Sequence, residues 1–128
     1  MSDSGKSVLI VEDDLNLRDI LKKMCEKEGW TVHEASDGQE GYEQAKAHKP
    51  SVVFLDLLMP VLDGFGFLKL LRADEDTEVK TIPVVVLSNL YTNEDILRAE
   101  SLTIEAYFVK TNTTLEEVIA KSKQIMDK

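Results

Sequence analysis

Four short apolar runs recur along the chain: SVLIV at 7–11, VVFL at 52–55, IPVVVL at 82–87 and AYFV at 106–109. A weaker, alternating one, WTVHEA, covers 30–35. All are rich in β-branched or aromatic residues and too short for ordinary helices. Three are nearly continuous in hydrophobicity, the pattern of strands buried on both faces of a parallel sheet.

Between these runs the period changes. Leu17, Ile20, Leu21, Met24 and Cys25 follow the i, i+3, i+4, i+7, i+8 spacing of a one-sided helix, with Asp14 as N-cap and Gly29 as stop. Asp37 and Glu40 form an acidic variant of the capping box before a helix that runs to about His48, where Lys49 and Pro50 close it. Asp63 caps a third helix with Gly64, Phe67, Leu68 and Leu71 on one face, and a short, weakly amphipathic fourth is expected over roughly 93–102. Thr114 and Glu117 make a capping box for the last, whose inner face holds Leu115, Val118, Ile119, Ser122 and Ile125 or Met126. The result is β-α repeated five times. Strict alternation predicts an α/β fold, an open parallel sheet with helices on both faces joined by right-handed crossovers. Ligands of such sheets bind beyond the carboxyl ends of the strands.

Composition narrows the class. With 128 residues, 43% hydrophobic and 30% charged, the chain fits one globular domain with a single core. No apolar run reaches the roughly 20 residues needed to cross a bilayer, and MSDSGKS at the start has no basic segment followed by an apolar stretch. One cysteine, Cys25, cannot form an internal disulfide. Together these predict a cytoplasmic protein without membrane contact. The net charge of −9 argues against nucleic-acid binding, which needs clustered Lys and Arg, and suits a divalent cation or basic protein partners. His33 and His48 are expected at the surface, away from any acidic cluster.

One residue resists this pattern. Asp56 ends the run VVFL, where an unpaired buried carboxylate would cost several kcal/mol. The ends of the other strands offer an explanation. Glu12, Asp13 and Asp14 follow the first strand, Ser88 and Asn89 end the fourth, and Lys110 follows the fifth. If the first and third strands are neighbours, three or four carboxylates converge, and only a cation lets them stay ionised together. An all-oxygen set with room for water suits Mg²⁺. An aspartate flanked by such an ion and an ammonium can act as a nucleophile, and the same charges would neutralise an incoming phosphoryl group.

The motifs VLIVEDD, DLLMPVLDG, VVVLSN and YFVK, in that order, resemble the receiver domain of response regulators in two-component signalling, over residues 6–127. The likeness is to the stand-alone chemotaxis and phosphorelay type. It implies a flavodoxin-like, doubly wound (βα)5 fold with strand order 2-1-3-4-5, and a single receiver domain spanning 1–128 with no output domain. It makes Asp56 the phosphoacceptor. Asp13, Asp56, the backbone carbonyl of Leu58 and, often through water, Glu12 would hold Mg²⁺ or Mn²⁺. Ser88 and Lys110 would bind the phosphoryl group, and Tyr107 is the aromatic that swings as Ser88 moves. The partners implied are a sensor histidine kinase or phosphotransfer protein and a downstream protein effector. The readout is a change of shape of helix four, strand five and helix five. The chain would not be an enzyme, though self-phosphorylation from small donors and slow autodephosphorylation are expected.

Four positions, in three places, depart from the family pattern. Thr111 follows Lys110 where a proline after a cis bond is usual, so this loop either keeps a cis peptide at a cost of about 3 kcal/mol or takes another path. Asn89 replaces a small residue and could shield the phosphoryl group, lengthening its life. Thr103-Ile104 replaces Gly-Ala after the fourth helix, which leaves that helix end less sharply defined. Two rival functions share parts of the pattern. A haloacid-dehalogenase-like enzyme also has a strand-end Asp nucleophile, but after its first strand and with a second Asp where Leu58 stands here. A receiver-fold binding module that is never phosphorylated would be inert to small phosphodonors.

Overall fold

The structure is a computed structural model that describes residues 5–127. The first four residues, part of the stretch read above for a leader, and Lys128 lie outside the described residues. Five parallel strands, β1 (Ser7–Val11), β2 (Thr31–Ala35), β3 (Val52–Leu55), β4 (Val84–Ser88) and β5 (Ala106–Val109), form one sheet in the order β2-β1-β3-β4-β5. Six helices connect and follow them: α1 (Leu15–Lys27), α2 (Gly38–His48), α3 (Gly64–Arg72), α4 (Thr77–Lys80), α5 (Asn93–Glu100) and α6 (Leu115–Met126). The predicted α/β fold and strand order hold. The four-residue α4 is an addition that the apolar pattern did not predict; Asp76 caps it and Val79 anchors it in the core.

The period-2 alternation sorts the strands' side chains into two cores. Leu9, Val11, Val53 and Leu55 pack with Ala45 of α2, Phe67 and Leu68 of α3, and Ala99 of α5. Val8, Ile10, Val52 and Phe54 pack on the other face with Leu21 and Cys25 of α1 and Val118, Ile119 and Ile125 of α6. Cys25 is fully buried, and burial, with Glu28 and Glu26 adding to it, pushes its thiol up to about 12.

The caps fall where the sequence puts them. Asp14, Asp37, Asp63 and Thr114 each accept an amide N–H in the first turn of their helix. Gly29, just past the end of α1, has φ +84°, a conformation that disfavours any side chain. Details differ elsewhere. Ile20, expected on the inner face of α1, is 49% exposed, because α1 buries the narrower stripe of Leu21 and Cys25. Trp30 precedes β2 rather than opening it, and packs in the α1–α6 core.

The helix predicted over 93–102 stops at Glu100, and its exit is sharply defined. Thr103 takes φ 60° where glycine would be usual. From α3, Arg72 donates through Nε to the carbonyl of Leu102 at 2.9 Å and through Nη2 to that of Thr103 at 2.6 Å. Its Nη1 donates to the carbonyls of Lys80 and Ile82, each at 2.8 Å. The guanidinium thus does the work expected of the missing glycine cap. His33 and His48 form one unit: their rings stack, centroids 3.7 Å apart and 7° from parallel, with His33 half-buried and His48 exposed.

Candidate functional site

Parallel pairing brings the strand ends together. Val11 pairs with Leu55, and the amide of Asp56 donates to the carbonyl of Val11 at 3.0 Å, so Glu12 and Asp56 leave the sheet side by side. Leu55 pairs with Val86 and Ser88 with Val109, which sets Ser88 and Lys110 at the same edge. Directly behind, Gly64 leaves the backbone room: a Cβ there would lie 2.5 Å from the carbonyl oxygen of Asp56.

The two carboxylates are buried, Glu12 with 3% and Asp56 with 5% of its surface exposed, while Asp13 is exposed. Lys110 closes the cluster, its Nζ 2.9 Å from Glu12 Oε1 and 3.0 Å from Asp56 Oδ2. Asp14 donates its amide to Glu12 Oε2 at 3.1 Å and Leu58 donates its amide to Asp56 Oδ1 at 3.2 Å. Burial pushes the Glu12 carboxyl up to about 7, with the hydrogen bond from Lys110 opposing and the charge of Asp56 adding to the rise. The Lys110 ammonium is raised despite its own burial, held by Glu12 and Asp56. Among the described residues, Glu12, Asp13 and Asp56 bring carboxylate oxygens within 4.8 Å of one another. This donor set is hard and anionic, with one member open to solvent, and it fits a Mg²⁺-like ion that keeps part of its water.

The remaining predicted residues sit at the rim. Ser88 is buried, and its Oγ accepts the amide of Leu90 at 3.3 Å. Tyr107, half-buried, donates its hydroxyl to the carbonyl of the same Leu90 at 2.6 Å, and burial, followed by Asp95 and Asp56, pushes its hydroxyl up to about 12. Asn89 is exposed between Ser88 and Leu90. The Lys110–Thr111 bond is trans, since no cis peptide occurs among the described residues, and Lys110–Asn112 forms a 3-10 turn that still delivers Lys110 to the cluster. Sequence reading missed Arg18, whose Nη1 donates to the carbonyl of Glu12 at 2.8 Å. Its signal was present: an arginine four residues after an Asp N-cap leans back over the loop that precedes the helix.

The family model described as "Response regulator receiver domain" matches residues 8–122. The chain belongs to the response-regulator receiver family. The transcriptional regulatory protein PdtaR of Mycobacterium tuberculosis is 38% identical over 106 residues, which is 82% of this chain and 49% of that protein. The receiver spans about half or less of the curated relatives it matches. Among solved structures, the Francisella response regulator 1452 receiver domain superposes with a TM-score of 0.85 at 26% identity, covering 96% of this chain and 98% of that one. The receiver domain of the sensor histidine kinase PA1611 from Pseudomonas aeruginosa, with a magnesium ion in its active-site cleft, shares the fold at TM-score 0.85 and 21% identity, covering 98% of this chain and all (100%) of that one. This receiver is therefore a module of two-component response regulators, a family of phosphoacceptors rather than classical enzymes. No helix among the described residues is long and apolar enough to cross a membrane.

Proposed function

We propose that Asp56 accepts a phosphoryl group from the phosphohistidine of a sensor histidine kinase or phosphotransfer protein, with Mg²⁺ or Mn²⁺ bound at Glu12, Asp13, Asp56 and the carbonyl of Leu58. The observation that carries this reading is Lys110, one ammonium hydrogen-bonded to both Asp56 and Glu12 at the mouth of the site. When bound, the divalent ion supplies positive charge that lets the carboxylates stay ionised and neutralises the phosphoryl oxygens. An Asp56 oxygen attacks phosphorus, and the P–N bond breaks with its electron pair going to an imidazole protonated on its other nitrogen. Lys110 leaves Asp56 for the phosphoryl oxygens, a charge-assisted contact.

Leu90 supports a route for the signal. Its amide is held by Ser88 and its carbonyl by Tyr107. A phosphoryl group that recruits the Ser88 hydroxyl frees the Leu90 amide, and the loop into α5 shifts with the Tyr107 ring. The surface of α5, β5 and α6 then changes for a downstream protein effector, a two-state element biased by one new charge. Asn89, exposed directly after Ser88, slows the approach of water to the phosphoryl group. In this reading residues 1–128 act as a single, cytoplasmic receiver whose effect passes through a protein partner rather than nucleic acid.

Intact-mass spectrometry after incubation with acetyl phosphate, with and without Mg²⁺, tests the core of this. The expected result is a Mg²⁺-dependent gain of one phosphoryl group that Asp56→Ala abolishes. No gain under any condition would overturn it and leave a receiver fold kept for binding.

A further inference from the structure

Arg18 lies one turn into α1, and its side chain is only 16% exposed. Nη1 donates to the carbonyl oxygen of Glu12 at 2.8 Å, while Nε donates to Glu34 Oε1 at 3.2 Å. Glu34 stands on β2, and its other oxygen takes Lys22 Nζ at 3.3 Å. A chain of contacts thus runs from the edge strand through a guanidinium to one backbone carbonyl. That carbonyl belongs to the peptide joining Glu12 to Asp13. Because a peptide is planar, fixing its oxygen fixes the direction in which the chain enters Asp13.

Other anchors hold Glu12, and one of them fixes the peptide that leaves Asp13, but among the described residues none besides Arg18 holds the Glu12 carbonyl. The Glu12 amide donates to the carbonyl of Ala35 at 3.0 Å, and its carboxylate accepts from the Asp14 amide and from Lys110. Lys110 is the contact that phosphoryl transfer would remove. Asp13 itself is exposed, outside the buried pair of Glu12 and Asp56. The geometry points to Arg18 as a positioning residue for divalent-cation binding: it aims Asp13 at the cluster, and Glu34 and Lys22 hold Arg18 in place. This rests on the reading of the acidic cluster as a metal site and names a residue that sets its affinity.

The sign of the effect separates positioning from charge. A guanidinium acting only through its field repels a cation, so its removal would tighten binding. A guanidinium that orients a ligand weakens binding when lost, typically about ten-fold for a contact of this kind. Calorimetric titration of the intact chain with MgCl₂ reads this directly, without phosphoryl transfer. Arg18→Ala should weaken Mg²⁺ about ten-fold. Arg18→Lys keeps the charge but loses the fork that spans Glu12 and Glu34, and should fall between the two. Glu34→Gln should weaken Mg²⁺ more mildly, although it removes a nearby negative charge.

A purely structural role would lower the melting temperature in EDTA and leave the Mg²⁺ affinity of the folded protein unchanged. Unchanged or tighter binding in folded Arg18→Ala overturns the inference, while wild-type binding upholds the site. Should that variant not fold, Arg18→Lys decides in the same way. Wild-type protein that binds no Mg²⁺ overturns the reading of the site, and the inference with it.

Discussion

Two partly buried cations sit at opposite ends of the sheet, and they are held in opposite ways. At the carboxyl end Lys110 lies between two carboxylates. Near the amino ends of β4 and β5, Arg72 fans out to four backbone carbonyls. Carbonyls cannot gain or lose a proton, and a fixed fork that meets four of them has no reason to move. An ammonium shared by two carboxylates has competitors: a proton, a divalent ion or a phosphoryl group can each redistribute it. The receiver is therefore built with a locked cation at one end of α5 and a transferable one near the other. Under the proposed function, a helix held at its exit and reached by the phosphoryl signal at its entrance is suited to pivot.

Substitution should expose the difference. Arg72→Ala strips four carbonyls of their donor and leaves Thr103 in a left-handed conformation without support, which should cost about 3 kcal/mol in urea unfolding. A loss under 1 kcal/mol would mean that water replaces the guanidinium freely. Lys110→Met should cost less, about 1–2 kcal/mol, since one of the two stranded carboxylates can take up a proton. Added Mg²⁺ should narrow that gap, because an ion can stand in for the ammonium; an equal gap in EDTA and in Mg²⁺ would contradict a transferable cation.

A smaller effect comes from the loop beside the site. Val61 has φ 67° and is 82% exposed, and Leu62 donates its amide back to the carbonyl of Pro60 at 2.8 Å around it. A β-branched residue in that tight turn is strained, so Val61→Gly should raise stability by about 1 kcal/mol. Unlike at Thr103, no guanidinium hydrogen bond reaches it among the described residues.

The smallest effect concerns pH. Burial, followed by His48, lowers the pKa of His33. The unfolded chain then binds the proton more readily, so His33 leaves stability intact above its unfolded value of about 6.5 and erodes it as pH falls below. His33→Gln should flatten the stability profile between about pH 7 and pH 5; an unchanged slope would assign it to other groups.

Legibility in the sequence followed the range of the physics involved. Strands and caps are local, so VVFL and Asp63 could be read directly, and strict β-α alternation fixed the parallel sheet. The cluster was legible because strand ends in such a sheet must converge, and Glu12, Asp56 and Lys110 did. What escaped needed contacts across the fold. Arg72 acts through backbone carbonyls, which carry no residue-type signal, whereas Arg18 left only the local hint of its place after the Asp14 cap. The stack of His33 on His48 joins a strand to the far end of the next helix. The four residues of α4 are too few to show a period. Thr111 left two loop paths open, and only the turn itself shows that Lys110 reaches its place through a trans bond.

The inertness of Cys25 has a practical side. A thiol at about 12, with none of its surface exposed, offers almost no thiolate near neutrality to an alkylating reagent. The native chain is in effect a cysteine-free background for labelling. A cysteine introduced at Leu97, 65% exposed on α5, would be the one reactive thiol, and a spin label or dye there would follow that helix without interference from the core.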